Sequence, residues 1–158
     1  MRNFVFLVVG LVISMSIAPV LAFQEKDQTA EIKQVVNHLF ETMQKRDTEA
    51  MRSLFTPEGR MISTMTRNGK PVIRNLSIDD FAKMVTDTKE PYRERMFDME
   101  ARVEGDLATV WGHYDFHVGE RLTNCGTNAF QLLRTPDGWR IIQVTSSIHI
   151  EGCQPSEK

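Results

Sequence analysis

Three sets of residues have types and spacings that could do chemistry. His113-x-Asp115-x-His117 offers imidazole and carboxylate donors of the kind that ligate transition metals. Asn124, Asn128, Thr145, Ser147 and His149 supply amides, hydroxyls and an imidazole that could orient a ligand, and Tyr114 adds a phenol. Cys125 and Cys153 are the only cysteines and could bridge. What each set can do depends on which face of which element it occupies.

The elements follow from periodicity. Ile32, Val35, Val36, Leu39, Phe40 and Met43 form a helical stripe, with Asp27 or Thr29 available as a cap. A shorter helix from Thr48 buries Met51, Leu54 and Phe55 and stops at Thr56-Pro57-Glu58-Gly59. Alternation from Arg60 to Thr66, the turn dipeptide Asn68-Gly69 and a return strand from Pro71 to Asn75 make a hairpin. Pro71 marks the return strand as an edge. Ser77 caps a third helix that buries Ile78, Phe81, Met84 and Val85. Four strands follow at Arg93–Glu104, Leu107–Gly119, Leu122–Thr135 and Trp139–Ile150. Short turns at Gly105-Asp106, Gly119-Glu120 and Pro136-Asp137-Gly138 make them an antiparallel meander. Helices gathered on one side of such a sheet give an α+β domain.

Alternation then sorts the chemistry. A turn centred on Pro136-Asp137 sets Phe130 opposite Gln143, Asn128 opposite Thr145, Gly126 opposite Ser147 and Asn124 opposite His149. One face thus runs from apolar Phe130, Leu132, Trp139 and Ile141 to polar Asn124, Asn128, Thr145, Ser147 and His149, as a pocket wall does. On the preceding strand, Ala108, Val110, Gly112, Tyr114, Phe116 and Val118 face the helices, and Tyr114 can extend its hydroxyl into the pocket. Trp111, His113, Asp115 and His117 face outward. Alternate strand residues lie ~6.6–7 Å apart, which holds the two histidines ~13 Å apart. That is too far for one ion, so no metal site is expected. The outer face suits a homodimer contact around Trp111. The same register puts Cys125 opposite about Ile148, so a disulfide to Cys153 needs Gly152 to turn the chain back; two buried thiols are the alternative.

The first 22 residues read as a secretory signal. Arg2 gives a positive start, Phe4 to Ile17 is largely apolar, and Val20-Leu21-Ala22 suits a signal peptidase. The mature domain is then 23–158, in the periplasm or secreted, with no stable membrane anchor. Without Arg2 it carries 18 basic and 21 acidic side chains. With no basic cluster, nucleic acid is a poor partner.

The element order resembles the nuclear transport factor 2-like superfamily, a cone-shaped α+β fold. The resemblance rests on Asp47-Thr48-Glu49-Ala50-Met51-Arg52-Ser53-Leu54-Phe55, on Gly105-Asp106-Leu107-Ala108-Thr109-Val110, and on Asp137-Gly138-Trp139-Arg140-Ile141. Asn124-Cys125-Gly126-Thr127-Asn128-Ala129-Phe130 and Glu151-Gly152-Cys153 are similar to its bacterial lumazine-binding-like branch. The resemblance implies a pocket in which enzymes of the superfamily use an Asp, Glu, His or Tyr for acid–base work. Here the expected pocket face carries amides instead, leaving Tyr114 and His149 as acid–base candidates. His38 lies off the apolar stripe and faces solvent. The expectation is therefore a small apolar or amphipathic ligand bound without a cofactor. The alternatives are a lyase, isomerase or dehydratase, or a dimerisation module.

Overall fold

Ile32, Val36, Leu39, Phe40 and Met43 are all buried on one face of the long first helix, α1. Each such side chain contributes about 1.5–3 kcal/mol on leaving water. The computed structural model describes residues 18–153, and α1 spans Ala18–Lys45. It is thus already under way at Asp27 and Thr29, where the sequence suggested a cap. Pro19 is tolerated because it sits in the first turn. Residues 1–17 of the expected signal segment lie outside the described residues.

Arg46, at φ 57, ends α1, and the Asp47 side chain accepts a 3.0 Å hydrogen bond from the Ala50 N–H to start α2 (Thr48–Ser53). Phe55 opens strand β1 (Phe55–Arg67) instead of closing the second helix as expected. Pro57 costs β1 no sheet bond, because the segment between Phe55 and Arg60 is irregular and leaves the ladder. Asn68 (φ 51) and Gly69 (φ 72) turn the chain into β2 (Lys70–Ser77). The Ser77 hydroxyl accepts from the Asp80 N–H and caps α3 (Ile78–Asp87). β3 (Tyr92–Glu104), β4 (Leu107–Val118), β5 (Arg121–Thr135) and β6 (Gly138–His149) complete the chain.

The six strands form one open sheet in the order β2-β1-β6-β5-β4-β3, antiparallel except for β1 against β6. α1 packs chiefly on β3, while α3 packs on β1 and β2. The helices therefore cover opposite ends of a curved sheet, and the core between them is built on Phe130, Leu132, Trp139, Ile141 and Val144. The expected α+β architecture, three helices on a mostly antiparallel sheet, is what the chain adopts. Among the described residues, no helix is long and apolar enough to cross a membrane.

Two one-residue irregularities decide which side chains face inward. In the β5–β6 ladder Leu132 pairs with Ile141, as the turn predicts, but Gln131 then pairs with Gln143. Beyond that point Phe130 faces Val144, Asn128 faces Ser146 and Gly126 faces Ile148. In the β3–β4 ladder the register slips between Phe97 and Glu100, where Asp98 adopts φ 50. An extra residue reverses the face of everything past it.

Candidate functional site

The curl of the sheet and α3 enclose a cavity of about 340 Å3, open on one side. Its apolar wall is Met61, Leu76, Phe81, Met84, Phe116 and Ile148. Polar groups interrupt that wall at Ser63, Arg74, Glu94, Tyr114, Asn124 and Ser146, with Thr123 beside Asn124.

Tyr114 and Asn124 arrive as the sequence suggested. The Tyr114 hydroxyl lies 3.0 Å from Asn124 Oδ1 and 3.3 Å from the Ser147 carbonyl, and it donates into this pair of acceptors. Burial pushes the phenol pKa up, and the Glu94 charge adds to the rise. Tyr114 is thus a hydrogen-bonding group, not an ionised one. Asn128 is 1% exposed and stands one layer behind the cavity surface. Its Nδ2 donates to Glu94 Oε1 at 2.6 Å, and its Oδ1 accepts from the Ser146 hydroxyl at 2.6 Å.

Thr145, Ser147 and His149 are corrections. The extra residue, Ile142, opposite the Gln131–Leu132 step, turns them to the other face of β6 and brings Val144, Ser146 and Ile148 inward. The Thr145 hydroxyl accepts from Gln143, the Ser147 hydroxyl accepts from the Thr127 N–H, and His149 is exposed. Ser147 keeps a part only through its carbonyl.

Glu94 is the functional candidate that the sequence reading missed. It comes from β3, faces Phe116, and is partly buried with its residual surface in the cavity. Removal from water pushes its pKa up to about 7; the Asn128 hydrogen bond opposes the rise and the Asp115 charge adds to it. Counting from the Gly105-Asp106 turn without a bulge sets Glu94 against His117, on the outer face. The extra residue at Asp98 moves it inward. The one available signal was Asp98 itself, since aspartate tolerates positive φ better than most residues.

On the outer face Asp115 is 2% exposed and paired with Arg95 at 2.7 Å, while His117 Nδ1 lies 3.6 Å from it. Among the described residues, no three His, Cys, Asp or Glu side chains are grouped to hold a metal. Trp111 is 56% exposed on this face. His38 is exposed and lies 3.6 Å from Glu41. Cys125 and Cys153 form a disulfide with Cα atoms 5.6 Å apart. Cys125 sits opposite His149, and Gly152 at φ 74 turns the chain back toward it.

A model of the SnoaL-like domain family matches residues 24–145, most of the chain. The chain belongs to the SnoaL-like domain family. No curated protein is similar to it in sequence. Among solved structures, this SnoaL-like domain superimposes on a nuclear transport factor 2-like protein of cystatin-like fold from Novosphingobium aromaticivorans. The TM-score is 0.66 at 18% identity, covering 91% of this chain and 94% of that one. A candidate dehydratase of the nuclear transport factor 2-like family from Streptomyces avermitilis gives 0.60 at 19% identity, covering 77% and 96%. A candidate aromatic ring hydroxylase from Novosphingobium aromaticivorans gives 0.58 at 16% identity, covering 77% and 89%. These likenesses establish the superfamily fold and do not reach the lumazine-binding-like branch.

Proposed function

We propose that this SnoaL-like domain is an exported binding protein that takes a small apolar or amphipathic molecule into the cavity between α3 and the curled sheet. The observation that carries this reading is the cavity itself: about 340 Å3, apolar on most of its wall, with Glu94, Tyr114 and Asn124 converging on one side. Small-molecule sites are typically ~300–1,000 Å3, mostly apolar, with a few convergent polar groups. Export rests on residues 1–22, and mature protein beginning at Phe23 is its test. The reading includes pairing of two copies through the outer sheet face, which the exposure of Trp111 supports.

A second reading, an acid–base enzyme of the lyase, isomerase or dehydratase kind, is favoured by Glu94. A carboxyl with a pKa near 7 can both take and give a proton at neutral pH. Tyr114 would be its hydrogen-bonding partner. His149 has no place in this reading, because it lies on the other face.

Mass spectrometry of small molecules retained by the purified protein tests the binding reading, with Met84→Trp as the comparison. Met84 projects from α3 into the cavity, so the larger side chain occupies the ligand's space. A molecule retained by the native chain and lost from Met84→Trp is the expected result. Equal retention by both would place binding elsewhere. Turnover lost in Glu94→Gln with binding intact would favour the enzyme.

A further inference from the structure

We infer that the ligand is an apolar oxyanion whose charged group is held by Arg74 at the opening of the cavity. The inference rests on the binding reading above and names the chemistry that this cavity selects.

Arg74 and Glu94 come from the two opposite edges of the sheet, β2 and β3, which the curl brings to one cavity. Arg74 shares its strand face with Leu76, and its cross-strand neighbour is Ser63; all three line the cavity. Arg74 is also exposed, so it stands where the cavity meets solvent.

Arg74 lines this cavity, as no other arginine among the described residues does, and it is unengaged where several others are held by partners. Arg52 pairs with Asp79, Arg93 with Glu120, Arg95 with Asp115, and Arg60 donates to Gln143. Among the described residues, the Arg74 side chain makes no ion pair or hydrogen bond. Glu94 is not paired with it either: among the described residues no ion pair joins the two, and the side-chain partner of Glu94 is Asn128.

The lining therefore offers a ligand a guanidinium at Arg74, an apolar stretch of Met61, Leu76, Phe81 and Met84, and polar groups at Glu94 and Tyr114. A cation would be repelled at the entrance. A neutral acceptor would gain a single-charge hydrogen bond from Arg74, and a purely apolar molecule nothing. A carboxylate or sulfonate matches the planar fork of donors and gains charge-assisted hydrogen bonds there. Because Arg74 meets solvent, the gain is a modest one that salt screens.

Two fluorescent probes test this. Anilinonaphthalene sulfonate and phenylnaphthylamine share one apolar body and differ by the sulfonate. Titrations of each use the native chain, Arg74→Gln, Arg74→Lys, Arg67→Gln and Met84→Trp. Arg67 is exposed and does not line the cavity. Expected is a weakening of sulfonate binding by about 3–10-fold in Arg74→Gln. Arg74→Lys recovers part of it. Neutral-probe binding stays within about twofold, Arg67→Gln changes neither, and Met84→Trp weakens both. Should circular dichroism show Met84→Trp unfolded, Leu76→Phe fills the same space. Sulfonate binding that ignores Arg74→Gln but is lost in the filled variant overturns the inference and leaves the pocket standing. Equal weakening of both probes by Arg74→Gln overturns it too. Sulfonate binding untouched by the filled variant places the probe elsewhere and also overturns it. Failure of the native chain to bind either probe removes the pocket and the inference together.

Discussion

Glu94→Gln should stabilise the domain above neutral pH and leave it nearly unchanged in acid. Burial pushes the Glu94 pKa up from an ordinary 4.5 to about 7. A raised carboxyl destabilises the fold only where the unfolded chain ionises and the folded one resists. The penalty is absent below pH 4.5, grows between pH 4.5 and 7, and is complete above 7. At 1.36 kcal/mol per pH unit the full penalty is roughly 3 kcal/mol, which water in the open cavity lowers to about 2–3 kcal/mol. Glutamine keeps an acceptor for the Asn128 amide and removes the charge. Thermal unfolding followed by circular dichroism at pH 4.5 and pH 8, for both chains, isolates the effect. The difference of differences cancels every group the two chains share. A domain of this size shifts by about 3–4 °C per kcal/mol, so Tm should rise by roughly 6–12 °C at pH 8. The reasoning is refuted if the two chains differ equally at both pH values, or if Glu94→Gln is the less stable at pH 8.

Three further outcomes follow from contacts in and around the site. Tyr114→Phe removes the hydroxyl shared by Asn124 Oδ1 and the Ser147 carbonyl; chemical denaturation should show a loss of about 1–2 kcal/mol. Cys125→Ser with Cys153→Ser opens a loop of sequence separation 28. It should lower stability by about 2–4 kcal/mol, measured against the oxidised native chain. Gly126→Ala would place a Cβ 1.8 Å from the Ser147 carbonyl oxygen and 3.1 Å from the Tyr114 ring. The strands must part, at a cost of about 1–3 kcal/mol or more, and NMR should show the Tyr114 ring resonances displaced.

Much of this fold is written in local signals. Gly105-Asp106 and Pro136-Asp137-Gly138 mark the long hairpins, Asn68-Gly69 the short one, and Ser77 the start of α3. Each acts through its own backbone preference, so each can be read alone. The inward face of β4 is equally legible, because Ala108, Val110, Tyr114 and Phe116 alternate without interruption. The site is less legible because it lies beyond two irregularities. Ile142 takes Thr145, Ser147 and His149 out of the cavity, and Asp98 brings Glu94 in. Neither extra residue carries a glycine or proline to announce it. The polarity of the site changes with them: amides, hydroxyls and an imidazole are expected from unbroken alternation, whereas the folded chain puts a carboxyl beside the amides. Phe55 is a smaller case of the same kind. Its apolar character suits the end of α2 as well as the start of β1, and pairing with Ile141 settles which.

The claim that matters most is that the hollow under α3 admits an apolar molecule. Titrating isotopically labelled protein with phenylnaphthylamine, a neutral probe, and following backbone and methyl resonances tests it directly. Perturbations should concentrate at Leu76, Met84, Tyr114, Phe116 and Ile148. Shifts confined to the outer face around Trp111, or none at saturating probe, would contradict it.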